Sequence, residues 1–197
     1  MRQINKRVPI VTLLLTFVSV AFFLIETAKY GNTGMPFVLF SESFDSVLVA
    51  NGEWWRMVTS LFTHFGGGHL AAELLPFLAI GCVVENTLGR TAFLADFLIC
   101  GLAGNLSALL YSLVHPLDDT LSGGTVAITG VVLTYLVAAA GTPNGSWAKL
   151  LTVLGAEALM LYFCNGAGMD AQAMLGGILA GVILGFAFRI KRAAALS

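Results

Sequence analysis

Apolar residues fall along the chain in blocks too long and too uniform for the helices of a soluble domain. Six stretches, approximately 8–28, 69–88, 91–114, 125–140, 147–164 and 171–188, consist mostly of Val, Ile, Leu, Phe, Ala and Gly. A membrane-crossing helix needs about 20 predominantly apolar residues. Each stretch is therefore predicted to span a bilayer, the fourth and fifth being the shortest. No internal repeat or low-complexity linker separates them, so residues 1–197 read as one all-α, six-span membrane domain. The first stretch follows Arg2, Lys6 and Arg7, as a secretory signal would. Its apolar run is long for a signal and no small-x-small cleavage site follows, so it reads as retained.

Between the stretches lies only one long connection, residues 29–68. It carries Phe37, Phe40, Phe44, Trp54 and Trp55, rings that favour the membrane–water boundary. A loop of this length inside a compact domain is usually structured or functional, and short interfacial helices are predicted within it.

Charge agrees with this picture and orients it. Of the residues, 57% are hydrophobic and 11% charged, with mean hydropathy +0.87. A soluble domain carries about 25% charged residues, so the lipid bilayer is the expected surrounding. The net charge of −1 and the absence of a basic patch away from the termini argue against a nucleic-acid partner. With the N-terminus inside, Arg2, Lys6, Arg7, Arg90, Lys149, Arg189, Lys191 and Arg192 share the inner side, eight of the ten basic residues. Only Lys29 and Arg56 remain outside, so both termini are predicted cytoplasmic. Compact loops without an organellar presequence or extra domains fit a bacterial plasma membrane.

Cys82, Cys100 and Cys164 have unrelated spacings and an odd count, which argues against a disulfide framework and reads as small buried residues. His64 and His69 lack a third ligand of convincing spacing, so neither a metal nor a cofactor is expected.

Motifs narrow the reading. Trp55-Arg56 in the long connection is followed by His64, four intervening residues, His69, and Glu73 four residues later. Gly81, Glu85 and Gly89 end the second stretch. The fourth opens Gly123-Gly124-Thr125-Val126-Ala127-Ile128-Thr129-Gly130, and the sixth reads Ala173-Met174-Leu175-Gly176-Gly177-Ile178-Leu179-Ala180-Gly181 after Asp170. Over residues 52–185 this series resembles the rhomboid family of intramembrane serine proteases. The resemblance implies a six-helix rhomboid-like bundle in which Trp55, Arg56, Glu85, Gly89, Gly177 and Gly181 belong to the scaffold. It implies that His64, His69 and residue 73 sit where the family binds the oxyanion, with Glu73 in place of Asn. The family's nucleophilic serine maps to Thr125, or to Thr129 in a register shifted by four, and its catalytic histidine maps to Met174.

Those replacements bear directly on chemistry. Acyl transfer by a hydroxyl needs a base for its proton and donors for the oxyanion. A thioether has no usable basicity. Loss of a nucleophile or base in a serine hydrolase costs on the order of 10⁶ in turnover. An Asn amide at position 73 would donate to an oxyanion, whereas an ionised Glu73 only accepts; a protonated one would donate once. Met174 shares a helix face with Gly177, Gly181 and Gly185, a small-residue stripe suited to close helix contact. It is therefore predicted to pack against the fourth helix near Thr125.

His69 and Glu73 are one helical turn apart and either pair to hold the bundle or serve the site. Glu157, mid-way through the fifth stretch, either lines with Glu73 the lateral gate that the resemblance implies or forms an internal pair. Asp96 and Glu85, near the inner boundary, are expected to be solvated or to cap helices. Three readings follow: an inactive pseudoprotease that binds transmembrane client helices, an active endopeptidase using Thr125 with His69 or Glu73 as base, and a small transporter built on Glu73 and Glu157. The first is favoured by intact scaffold motifs around altered catalytic positions. The third is disfavoured by the lack of inverted repeats.

Overall fold

The computed structural model describes residues 8–31, 43–64, 66–115, 121–122, 124–139 and 171–194, with the side chains of 72, 76, 121, 122, 125, 171 and 190–194 outside that description. In chain order the elements are α1 (Ile10–Tyr30), β1 (Phe44–Asp45), α2 (Ser46–Ala50), α3 (Arg56–Thr59), a 3₁₀ turn (Ser60–Phe62), α4 (Gly67–Leu88), α5 (Arg90–Val114), β2 (Leu121–Ser122), α6 (Thr125–Ala139) and α7 (Ala171–Ala194). Among the described residues four helices are long and apolar enough to cross a membrane: α1, α4, α5 and, over Gln172–Arg189, α7. The shorter α6 is also apolar over Val126–Ala139. These five helices fall on the first four predicted stretches and the sixth. The fifth stretch, 147–164, with Glu157 and Cys164, lies outside the described residues.

Helix α1 shows which solvent the bundle was made for. Its buried stripe is Thr12, Leu15, Ser19, Phe23 and Glu26, at spacings of three or four. Leu13, Leu14, Phe17 and Leu24 face outward, Phe17 with 68% of its surface exposed. The inner face is the more polar one. That inversion is stable where lipid covers the apolar side and buried polar groups find partners inside.

Glu85 supplies such partners. The first N–H groups of any helix lack an intrahelical acceptor. The Glu85 carboxylate, at the end of α4, accepts from the backbone of Val11 at 3.1 Å and of Thr12 at 2.8 Å, and from the Thr12 hydroxyl at 2.9 Å. Its negative charge also complements the positive end of the α1 dipole. The capping alternative therefore holds for Glu85. Gly81 one turn earlier makes the approach possible, since a Cβ there would lie 2.8 Å from the Thr12 methyl. Gly89, at φ +88°, then turns the chain from α4 into α5 in one residue, a backbone state that disfavours side chains.

Glycines likewise set the α5–α6–α7 packing. A Cβ on Gly181 would run into the backbone of Gly130, one on Gly177 into Val126, and one on Gly185 into Val137 and the Thr134 carbonyl. Gly176, on the neighbouring face, abuts Ala103 and Ser107 of α5. The predicted stripe thus binds α6, and its neighbour binds α5. Dispersion between backbones at close range replaces a hydrophobic drive that lipid cannot provide.

The described part of the long connection contains the short helices α2 and α3, with Trp54 and Trp55 exposed by 61% and 53%. Phe44 departs from the expectation for an interfacial ring: it is fully buried, because β1 pairs antiparallel with β2, Phe44 opposite Ser122, and turns the ring into the bundle. Phe37 and Phe40 lie outside the described residues. Arg56 is buried and fastens the connection by donating to the Ser43 carbonyl at 3.0 Å and to Glu53 at 2.5 Å. Asp96 also departs from expectation. It is enclosed rather than solvated, at 1% exposure, between α5, α6 and α7.

Candidate functional site

The approach to α6 is built from the chain around His64. After the 3₁₀ turn, Thr63 accepts the backbone N–H of Gly124 at 3.0 Å, which pins the loop to the start of α6. Only a glycine fits there, since a Cβ on Gly124 would lie 2.8 Å from the Leu61 carbonyl and 3.0 Å from the His64 ring. From α5, Asn105 holds the same loop by donating to the Met57 carbonyl at 2.9 Å and the Ser60 hydroxyl at 2.7 Å. The His64 ring, the first turns of α4 and the N-terminus of α6 are thereby brought together.

His64, His69 and Glu73 form one buried cluster. A ring nitrogen of His69 is hydrogen-bonded to Glu73, fulfilling the i, i+4 pairing. His64 Nδ1 lies 3.2 Å from the Phe62 carbonyl, which can only accept, so Nδ1 carries hydrogen. Its Nε2 lies 3.3 Å from the second Glu73 oxygen, an ion-pair distance without the alignment of a hydrogen bond. The two rings meet edge-on, centroids 5.6 Å apart. Both imidazoles therefore address the same carboxylate. An ionised Glu73 between them would only accept hydrogen bonds and would not donate to a second anion at that place. Among the described residues no group of three or more His, Cys, Asp or Glu could hold a metal ion.

Thr125 is the first residue of α6, directly after Gly124; its side chain lies outside the described residues. Thr129, the alternative nucleophile position, is buried one turn further on. Met174 is buried in a cluster with Phe44, Val49, Ala108, Val126 and Ala173, flanked by Met57 and Leu109. No member of that cluster can take a proton. The helix that carries Met174 meets α6 where Gly177 abuts Val126, the residue after Thr125.

Helical spacing gives the His69–Glu73 pair; residue 64 precedes α4 and follows no helical period, so its place beside them was legible only through the motif resemblance. The run Gly66-Gly67-Gly68, whose first member has φ +131°, folds the chain back there. Asn105 and Gly124 were missed as anchors. A lone polar residue in an apolar helix and a glycine before a threonine carry no period to read.

Comparison with known proteins matches the same elements. A family model described as Rhomboid domain matches residues 51–191. The chain is 27% identical over 180 residues to rhomboid protease GluP of Bacillus subtilis (strain 168), covering 88% of this chain and 34% of that protein. It is 30% identical over 141 residues to the putative rhomboid protease YdcA of the same organism, covering 70% of this chain and 69% of that one. RHOMBOID-like protein 5 of Arabidopsis thaliana is 30% identical over 145 residues, 73% of this chain and 47% of that protein. The chain thus spans about a third of GluP and about two-thirds of YdcA. The matched region runs from the long connection through α7, the same span that carries the Trp-Arg pair, the His64–Glu73 cluster and the glycine stripe. The chain belongs to the rhomboid family of integral membrane proteins.

Proposed function

We propose that this protein is a catalytically inactive rhomboid, a pseudoprotease that binds transmembrane client helices without cutting them. The observation that carries the proposal is the setting of Met174. Met174, to which the motif resemblance maps the family's catalytic histidine, is buried among apolar side chains that include Val126. The His64–Glu73–His69 cluster supports the same reading: Glu73 engages both imidazoles, and the motif resemblance maps these three residues to the family's oxyanion site. Thr125 would then be a hydroxyl without a base. The proposal includes a six-helix bundle with both termini cytoplasmic, in which the second and fifth of the six spans form a lateral gate, while Glu73 is held inside by His64 and His69.

The test is reconstitution with a generic single-span helical substrate carrying a photo-crosslinker at its midpoint. Crosslinking to wild-type protein without appearance of a cleaved fragment supports the proposal. A fragment that disappears in Thr125→Ala defeats it.

A second reading, an active endopeptidase using Thr125, has one observation in its favour. The His64 ring abuts Gly124, one residue from that hydroxyl. In that case cleavage occurs in the wild type and His64→Asn or His69→Asn abolishes it while the protein stays folded.

A further inference from the structure

Asp96 lies in the packed interior of α5, α6 and α7, apart from the site above. Its Oδ1 is 2.8 Å from the Thr134 hydroxyl oxygen of α6 and 3.5 Å from the Cys100 sulfur one turn along α5. The same Thr134 oxygen lies 3.2 Å from the Gly130 carbonyl of its own helix and 3.0 Å from the Gly181 carbonyl of α7. A threonine hydroxyl has one proton, and carbonyl oxygens only accept. Were Asp96 a carboxylate, three acceptors would compete for that proton, leaving oxygen lone pairs facing each other at short range.

A proton on Asp96 resolves the conflict. Oδ1–H donates to Thr134 Oγ1, whose own proton is then shared between the Gly130 and Gly181 carbonyls. Every contact becomes donor to acceptor. The second carboxyl oxygen agrees, for Oδ2 is buried and has no hydrogen-bond partner. A neutral carbonyl oxygen tolerates this far better than half of an anionic charge in the interior of a membrane protein. Among the described residues no Lys, Arg or His forms an ion pair with Asp96. The titratable neighbour is Cys100 on its own helix; α6 presents Thr134 and Gly130, and α7 presents Gly181, none of which titrates.

We propose that Asp96 is a neutral, proton-bearing donor, and that Asp96, Thr134 and the Gly181 carbonyl form a proton-dependent lock joining α5, α6 and α7. The folded state keeps the proton, whereas the unfolded state, with the carboxyl exposed, releases it. Stability therefore falls as pH rises, because the unfolded state then binds fewer protons than the folded one.

The test is infrared spectroscopy of the full chain in nanodiscs with ¹³C-carboxyl-labelled aspartate. Wild-type protein at neutral pH should show an isotope-shifted protonated-carboxyl band, lost in Asp96→Asn and displaced in Thr134→Val, where the acceptor is gone. Absence of that band in the wild type overturns the proposal without any variant having to fold. So does a band that survives Asp96→Asn. If Asp96→Asn does not fold, a band that Thr134→Val leaves unmoved is equally fatal. Thermal unfolding gives the second readout: the midpoint falls more steeply with rising pH in the wild type than in folded Asp96→Asn, and equal slopes in the two contradict the lock.

Discussion

His64 Nε2 stands 3.3 Å from a carboxylate oxygen of Glu73, although the two residues come from different local structures, a loop after a 3₁₀ turn and the second turn of α4. With His69 on the other oxygen, the carboxylate is held from both sides in a buried place. This contact joins the fold to the site, since the His64 ring also backs onto Gly124 at the entrance of α6.

Removing the carboxylate strands two imidazoles. Glu73→Ala should lower stability by about 3–5 kcal/mol, the usual result of deleting one partner of a buried pair. Glu73→Gln retains hydrogen-bonding capacity and should lose less. Thermal unfolding followed by tryptophan fluorescence in detergent checks the order. Equal losses for both variants would count against a cluster organised by the carboxylate.

Gly181 tests the helix packing. The neighbour of a new Cβ is the Gly130 backbone, which has no flexible side chain to move aside. Gly181→Ala should therefore destabilise by about 1–3 kcal/mol through overpacking. Gly68→Ala, in the first turn of α4 with open space around it, should be neutral or stabilising by up to about 1 kcal/mol. Unfolding midpoints of the two variants give the comparison.

Glu85 and Thr12 test the contact between the end of α4 and the start of α1. Glu85→Ala removes acceptors from two backbone N–H groups and a hydroxyl. Loss of a helix cap costs about 0.5–2 kcal/mol, so fraying of α1 should begin at Ile10. Hydrogen exchange at Val11 and Thr12 measures this, with faster exchange expected there than in the middle of α1.

Much of this was legible in the sequence, for reasons specific to membranes. The bilayer demands long apolar helices, so α1, α4, α5, α6 and α7 stood out by run length, and the stripe Gly177, Gly181 and Gly185 announced a close crossing. The His69–Glu73 pair followed from helical periodicity. What escaped was contact between elements without a shared period: Asn105 on the Ser60 turn and Phe44 drawn inside by the β1–β2 pairing; His64 beside Glu73 was legible only through the motif resemblance. Asp96 was misjudged because its position along α5 gave depth but not direction, and the helix turns it toward Thr134 rather than outward.

Met174→His places an imidazole among Phe44, Val49, Ala108 and Val126. Alone it should destabilise by about 1–3 kcal/mol, the cost of a buried polar group without a partner. Combined with Thr125→Ser, it introduces the two residue types that the proposed mapping calls catalytic, and unfolding midpoints of the single and double variants show whether the pair couples.

The most direct measurement is proteolysis by purified wild-type protein in liposomes holding a single-span substrate, read by mass spectrometry of the products. The account predicts intact substrate throughout, together with a substrate that can be crosslinked to the bundle. A defined cleavage product that requires Thr125 would contradict it.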